Sequence, residues 1–276
     1  MSKALHNLQA NNPIGIFDSG IGGLTVAHAI SKELPGEKLI YFGDTAHLPY
    51  GDKSPDSIKY YAIRISQLLL QKRCKMIVIA CNTASAMAYE TVKDFVGRQA
   101  LVVNVIDPVV EEVLNRKKKI KRIGVIGTKG TVKSDIYAQK ILQGNPKLEV
   151  NSLATPLLVG MIEEGFFNNK ISRTIIGDYL SRPRLKKIDS LILACTHFPL
   201  IKPEIETYYK GEVEIIDSAG VVARYVHDLL KKKKLVAVQK NPQQQFFVSD
   251  FTKSFEKSTR FFFRKKIRLE ELGLWK

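Results

Sequence analysis

The sequence predicts an α/β protein built from two similar domains with mainly parallel sheets. Short apolar runs alternate with amphipathic helical stretches along the whole chain, which is typical of parallel sheets covered by helices. Two of the strand types recur in the second half of the chain. With 276 residues, the chain is long enough for two domains of ordinary size.

Seven apolar runs rich in β-branched residues are predicted as buried strands. They are residues 14–17, 38–42, 76–80, 101–106, 122–126, 191–194 and 213–216. The segment 54–73 predicts a helix, because its apolar side chains lie on one face, Ser54 suits the N-cap and Pro55 suits the first helical position. A last strand at 246–248 and a helix at 252–263 are expected to return to the first domain.

The repeat suggests a duplication. Residues 14–19 (IGIFDS) align with 123–128 (IGVIGT), and residues 78–83 (VIACNT) align with 192–197 (ILACTH) at a nearly equal offset. We therefore expect an N-terminal tail of residues 1–13, a first α/β domain of residues 14–106 plus 217–276, and a second of residues 107–216.

Composition narrows the class of protein. A hydrophobic fraction of 45% and a charged fraction of 25% exclude collagen-like, disulfide-scaffold and wholly disordered chains. Three cysteines are too few for a secreted disulfide framework. No apolar run near the N-terminus has the length of a signal peptide, and none elsewhere would span a bilayer. We therefore expect a soluble, cytoplasmic protein.

The formal charge of +16 raises the possibility of polyanion partners. The basic residues concentrate at 116–122 and 231–234, with a looser group at Arg264, Lys265, Lys266 and Arg268. Neither run interleaves the aromatic residues on which bases stack. Solvated loops or helix ends are the favoured interpretation, and nucleic-acid binding is the alternative.

Polar side chains follow four of the predicted strands, where parallel α/β sheets bind ligands. They are Asp18-Ser19-Gly20, Asp44-Thr45 continuing to Pro49-Tyr50-Gly51, Cys81-Asn82-Thr83, and Cys195-Thr196-His197. The turn DSGIGG departs from dinucleotide and Walker patterns, so its glycines are interpreted as allowing a tight strand-to-helix turn.

Two strand-end cysteines, Cys81 and Cys195, admit several chemistries. A redox disulfide, a metal site, an acyl-transfer nucleophile and paired proton transfer are all open. The sequence has no CxxC, and three cysteines with His197 nearby form no recognisable zinc pattern, so no metal is expected. Acyl transfer leaves the second strand-end cysteine without a task, whereas paired acid/base chemistry uses both. Cys74 lacks polar followers and is interpreted as an inert core thiol.

Four colinear motifs together resemble the glutamate racemases of the aspartate/glutamate racemase superfamily, and the similarity runs from about residue 14 to the C-terminus. They are DSGIGGLTV at 18–26, GDTAHLPYG at 43–51, ACNTASA at 80–86 and ACTHFPL at 194–200. The resemblance implies two pseudo-symmetric α/β domains with the active site in the cleft between them and no cofactor, pyridoxal phosphate included. It also implies a small-molecule substrate; a homodimer is a further expectation.

The resemblance implies specific site residues. By similarity, Cys81 and Cys195 exchange the α-proton on opposite faces of the substrate, Asp18 supports Cys81, and His197 supports Cys195 together with Glu163, for which Glu164 competes. The residues expected to bind the substrate are Asp18, Ser19, Tyr50, Gly51, Asn82, Thr83, Thr196 and His197. Asp44 and His47 are expected to be structural.

The predicted function is interconversion of L- and D-glutamate, which in this family supplies D-glutamate for peptidoglycan. Aspartate racemase is the nearest alternative. His197, where aspartate relatives have a glutamate, favours glutamate. A nucleic-acid-binding protein on the same scaffold is the alternative from another class, but it leaves both strand-end cysteines without a task.

Overall fold

The computed structural model describes residues 8–116, 120–263 and 265–275, and its strands form two sheets in which every pairing is parallel. In these residues the strands are β1 (Ile14–Asp18), β2 (Leu39–Gly43), β3 (Met76–Ile79), β4 (Leu101–Asn104), β5 (Arg122–Gly127), β6 (Glu149–Ala154), β7 (Ser190–Ala194), β8 (Glu214–Asp217), β9 (Gln245–Val248) and β10 (Glu270–Glu271).

The helices lie between the strands. Over the same residues they are α1 (Leu24–Glu33), α2 (Pro55–Gln71), α3 (Asn82–Val96), α4 (Ile106–Leu114), α5 (Lys129–Lys133), α6 (Ile136–Gly144), α7 (Pro156–Glu163), α8 (Lys170–Leu180), α9 (Lys202–Tyr208), α10 (Ser218–Lys232) and α11 (Lys253–Phe263). None of the described helices is long and apolar enough to cross a membrane.

The two sheets repeat one strand order, which confirms the predicted fold class. The first sheet has the order β10-β9-β2-β1-β3-β4 and the second has the order β6-β5-β7-β8. Strands β2-β1-β3-β4 therefore correspond in position to β6-β5-β7-β8. As predicted, the C-terminal strand β9 returns to the first sheet, where it pairs with β2. The domain boundaries themselves stay a prediction.

The seven predicted strands of the first 217 residues are present within two residues at each end. The largest difference is at β4, predicted to reach residue 106 but ending at Asn104. The Asn104 side chain explains this, because its Oδ1 accepts hydrogen bonds at 2.8 Å from the backbone N–H groups of Ile106 and Asp107 and starts α4. Helix α2 begins as predicted, with Ser54 Oγ accepting from the Ser57 N–H at 3.2 Å.

Two strands carry no apolar run and are missing from the sequence prediction. Strand β6 lies at the edge of its sheet, beside β5 alone, so its residues are exposed or half-buried. Strand β10 consists of two exposed glutamates and lies at the edge of the first sheet, at the other end from β4. Neither strand needs a continuous apolar sequence, because neither is buried on both faces.

A shared core joins the two halves. The largest apolar cluster contains Ile16 and Val78 from the first sheet together with Leu193 and Phe198 from the second half. Helix α10 packs on both α1 and α4. The space between the carboxyl ends of the two sheets is therefore bounded by packed elements.

The basic runs lie partly outside the described residues. Lys231–Lys234 are exposed at the C-terminal end of α10, where cations interact favourably with the helix dipole. In the other run, residues 117–119 lie outside the described residues, and Arg116 pairs with Glu112 and Glu214. Arg264 and most of the N-terminal tail also lie outside the described residues.

Candidate active site

The carboxyl ends of β1 and β3 in one sheet and of β5 and β7 in the other border one small cavity of about 40 Å³. Both strand-end cysteines line it. The lining residues are Ser19, Pro49, Tyr50, Gly51, Cys81, Asn82, Thr83, Thr128, Val159, Ala194, Cys195, Thr196 and His197. Asp18 and Glu163 lie behind this wall and contact it through hydrogen bonds. The structure thus brings all the predicted site residues into one place.

One wall of the cavity contains three titratable side chains that contact one another in series. Cys195 Sγ lies 3.7 Å from His197 Nδ1, and His197 Nε2 lies 2.9 Å from Glu163 Oε1. Burial opposes a charge on His197, but the hydrogen bonds to Cys195 and Glu163 outweigh it and raise the pKa of the imidazole to about 10. His197 is therefore protonated near neutral pH, with Cys195 on one side of its ring and a carboxylate on the other. Of the two candidate glutamates, Glu163 makes this contact.

The opposite wall places Cys81 at the N-cap of α3. Its Sγ accepts a hydrogen bond from the Ala84 N–H at 3.4 Å, and the thiol donates to Ser19 Oγ at 3.7 Å. Burial raises the pKa of the Cys81 thiol to about 12, and the nearby Asp18 charge adds to the shift. The two cysteines therefore have opposite electrostatic surroundings: a carboxylate beside Cys81 and an imidazolium beside Cys195.

Asp18 is fully buried at the end of β1. Its Oδ2 accepts from the backbone N–H groups of Gly20 at 3.2 Å and Gly23 at 2.9 Å, so the glycine-rich turn wraps around the carboxylate. Thr196 Oγ1 donates to the other carboxylate oxygen at 3.4 Å. Burial raises the pKa of Asp18, while the charge of His197 opposes the shift. The carboxylate thus connects the first sheet to the Cys195 loop of the second.

Tyr50 and Gly51 form a short 3-10 turn that closes one end of the cavity. The Tyr50 hydroxyl donates to Asp44 Oδ2 at 2.7 Å. Asp44 is fully buried and also accepts from Ser249 Oγ and from Trp275 Nε1, each at 2.8 Å. His47 Nδ1 lies 3.0 Å from the same carboxylate. Asp44 and His47 thus hold the turn from outside the cavity and tie it to the C-terminal segment.

Several cavity residues were not predicted from the sequence, and one of them had a usable signal. Thr128 lines the cavity, and its hydroxyl lies 2.9 Å from that of Thr83 across the two halves. In the internal repeat Thr128 aligns with Ser19, so the repeat itself places a hydroxyl there. Pro49, Val159 and Ala194 also line the cavity. Pro49 and Ala194 stand inside the motifs at 43–51 and 194–200, whereas Val159 lies in no motif.

Cys74 lies away from the cavity, as its sequence context predicts. The side chain is 2% exposed, and a Cβ built on Gly15 would lie 3.0 Å from its Sγ, so it fills the core behind β1. Burial raises the pKa of its thiol to about 12. Among the described residues, no group of three or more His, Cys, Asp or Glu side chains is arranged to hold a metal ion.

Comparison with known proteins identifies the family of the chain. Residues 22–226 match the family described as Asp/Glu/Hydantoin racemase. The chain is 42% identical over 258 residues to the glutamate racemase of Chlorobaculum parvum, covering 93% of this chain and 94% of that protein.

Solved structures are similar as well. The glutamate racemase of Francisella tularensis in complex with D-glutamate has a TM-score of 0.90 and 38% identity, covering 96% of this chain and 99% of that one. The Thermus thermophilus enzyme, in complex with beta-chloro-D-alanine, has a TM-score of 0.86 and 31% identity over 96% and 98% of the two chains. By sequence and by structure, this chain belongs to the Asp/Glu racemase family and, within it, to the glutamate racemases, which are amino-acid isomerases.

Proposed function

We propose that this chain interconverts L- and D-glutamate by proton transfer between two cysteines, without a cofactor. One observation carries the proposal: Cys81 and Cys195 line a single cavity from two different sheets. A racemase must remove a proton from one face of the α-carbon and deliver one to the other. Two thiols on opposite walls, one ionised and one protonated, meet that requirement.

The electrostatics assign the resting proton. The protonated His197, 3.7 Å from Cys195 Sγ, is a counter-ion for a thiolate, and Glu163 helps to keep the imidazole protonated. Burial, and after it the charge of the Asp18 carboxylate, raise the pKa of Cys81 to about 12. By this geometry Cys195, which lies beside the imidazole, is the thiol placed to give up its proton, and Cys81 is placed to keep its own.

The proton transfer then balances in one turnover. The Cys195 thiolate takes the α-proton, so that an S–H bond forms as the C–H bond breaks and the electron pair moves into the α-carboxylate. The Cys81 S–H bond breaks, leaving its electron pair on sulfur, as the proton joins the opposite face of the α-carbon and the electron pair returns from the carboxylate to form the new C–H bond. Cys195 ends as the thiol and Cys81 as the thiolate, which is the state that handles the other enantiomer.

Neutral donors around the cavity are suited to an amino acid with two carboxylates. The hydroxyls of Ser19, Thr83 and Thr196 and the amide of Asn82 line the cavity. Such groups bind charge through hydrogen bonds without competing for the α-proton. Glutamate is the preferred substrate because the curated relatives are glutamate racemases and because His197 follows Cys195-Thr196.

The wider role follows from the family resemblance. We propose that the product D-glutamate is used in peptidoglycan synthesis. A reducing compartment such as the cytoplasm fits a reaction that needs two free thiols. A homodimer stays a prediction.

The test is a chiral assay on purified protein without added cofactor, with L-glutamate and L-aspartate in separate reactions. Formation of D-glutamate alone is the expected result, and added pyridoxal phosphate should not change its rate. Turnover of aspartate alone, or turnover that depends on pyridoxal phosphate, would contradict the proposal.

A further inference from the structure

The hydroxyl of Tyr137, which is buried outside the cavity wall, holds the side chain of Asn82, which is part of that wall. Asn82 is the first residue of α3, is 3% exposed and lines the cavity. The Tyr137 hydroxyl donates to its Oδ1 at 2.7 Å. Its Nδ2 is buried and has no hydrogen-bond partner among residues 8–116, 120–263 and 265–275. The amide therefore has a satisfied acceptor and an unsatisfied donor.

An unsatisfied buried donor is costly unless a ligand pairs with it. Free backbone N–H groups at the start of a helix favour anions, and Asn82 stands at that end of α3. The chemical group that satisfies both features is a carboxylate. Since an amide can be turned by 180°, some other group must keep the NH₂ side available to the ligand.

Tyr137 is placed to do this. It lies on α6 in the other half of the molecule, is 2% exposed, and belongs to the same apolar cluster as Val125 and Ile141. Burial raises the pKa of Tyr137 well above its ordinary value, with smaller contributions from Asp107 and Cys195, so the hydroxyl stays protonated and neutral. A rigid, protonated hydroxyl holds the carbonyl oxygen of the amide and leaves Nδ2 for a ligand.

We propose that Tyr137 is a positioning residue, whose hydroxyl orients the Asn82 amide so that Nδ2 donates a hydrogen bond to a carboxylate of the substrate. The inference rests on the proposed function, and it adds a residue from the second half that acts on substrate bound by the first. Tyr137 itself transfers no proton in this scheme.

The test compares Tyr137→Phe with Tyr209→Phe. Both changes remove a buried tyrosine hydroxyl and keep the ring, but the Tyr209 hydroxyl has no hydrogen-bond partner in the described part of the chain and lies outside the cavity. For Tyr137→Phe we expect KM for glutamate to rise about 2- to 10-fold, the range for one lost hydrogen bond, with a smaller change in kcat. The pH profile of kcat should keep its shape. Tyr209→Phe should leave all three unchanged.

A double-mutant cycle separates orientation from folding. In an Asn82→Ala background the Tyr137→Phe change should alter KM by less than about twofold, because the amide it orients is gone. An equal effect in both backgrounds overturns the proposal. A lower melting temperature of Tyr137→Phe with an unchanged KM also overturns the proposal, since the hydroxyl would then serve only to hold α6 against α3.

Calorimetric titration of each variant with D-glutamate makes the outcome independent of turnover. Wild-type protein that binds glutamate but does not racemise it contradicts the proposed function, while the Kd values still test Tyr137. Racemisation by the wild type with equal Kd and KM in Tyr137→Phe overturns Tyr137 alone. Absence of both binding and turnover in the wild type overturns both.

Discussion

A single methyl group at Gly22 should disable the site by moving His197. A Cβ built on Gly22 overlaps the His197 ring and lies 2.7 Å from Thr196 Oγ1. Gly22 has an ordinary backbone φ, so alanine there introduces a steric conflict without backbone strain. His197 has little room to retreat, because it is 4% exposed and its ring packs edge-on against Phe262 at 5.4 Å.

The size of the effect follows from the overlap. Carbon atoms in ordinary contact are roughly 3.5 Å apart, so the ring must move by about 1 Å. A shift of this size separates Nδ1 from Cys195 Sγ, which now lie 3.7 Å apart, or breaks the 2.9 Å contact with Glu163. Misplacing a catalytic group by about 1 Å costs on the order of 100-fold in rate. Overpacking lowers the free energy of unfolding by about 1–3 kcal/mol.

Gly20→Ala is the matched control in the same turn. A Cβ there lies 3.5 Å from Leu48 Cδ2, which is an ordinary contact. Racemisation of L-glutamate followed by circular dichroism gives kcat and KM, and thermal unfolding shows that both variants are folded. We expect Gly22→Ala to lose about 100-fold in kcat and Gly20→Ala to stay near the wild type. Folded Gly22→Ala with the activity of the control would refute the account of His197.

Three further predictions concern the cysteines and the C-terminal segment. Cys81→Ala and Cys195→Ala should each abolish racemisation in the chiral assay, and Cys74→Ala should leave kcat near the wild type. Robust turnover by either of the first two variants would refute the two-thiol mechanism. Iodoacetamide at about pH 7 should alkylate Cys195 faster than Cys81, as read by peptide mass spectrometry, because thiolates react and the pKa of Cys81 is about 12. This preference should fall as the pH approaches about 12, where Cys81 ionises as well, and an excess of Cys81 labelling at pH 7 would reverse the assignment. Trp275→Phe removes the N–H that donates to Asp44 at 2.8 Å and should lower the free energy of unfolding by about 1–2 kcal/mol in urea titrations. It should also raise KM, because Asp44 accepts the hydrogen bond of the Tyr50 hydroxyl at the cavity. An unchanged urea midpoint would contradict this.

The sequence was sufficient for the fold because its signals are local. Apolar runs mark the inner strands and the edge strands β4 and β8, and the repeat of the two cysteine segments marks the second sheet. Strand β6 was not predicted because its residues are exposed or half-buried and form no apolar run. The motifs also placed the residues of the cavity wall, because the strand ends of a parallel sheet meet at one edge.

The remaining features depend on contacts between residues far apart in the chain. The bond from Trp275 to Asp44 and the bond from Tyr137 to Asn82 join side chains with no shared motif. The proposed roles of the two cysteines rest on the positions of His197 and Asp18 around them, which residue types alone do not give. Hydrogen-bond geometry and burial are properties of the folded molecule, so these assignments required the structure.

The central claim is that two separate thiols act on the two faces of the α-carbon. The most direct test measures where deuterium is incorporated when L-glutamate is converted in D₂O, at low conversion. Mass spectrometry of the separated enantiomers should find solvent deuterium at the α-carbon of D-glutamate, because the second thiol delivers a solvent-derived hydron. The unreacted L-glutamate should keep its protium. D-glutamate that retains the original α-proton would mean that one group serves both faces, and it would contradict the account.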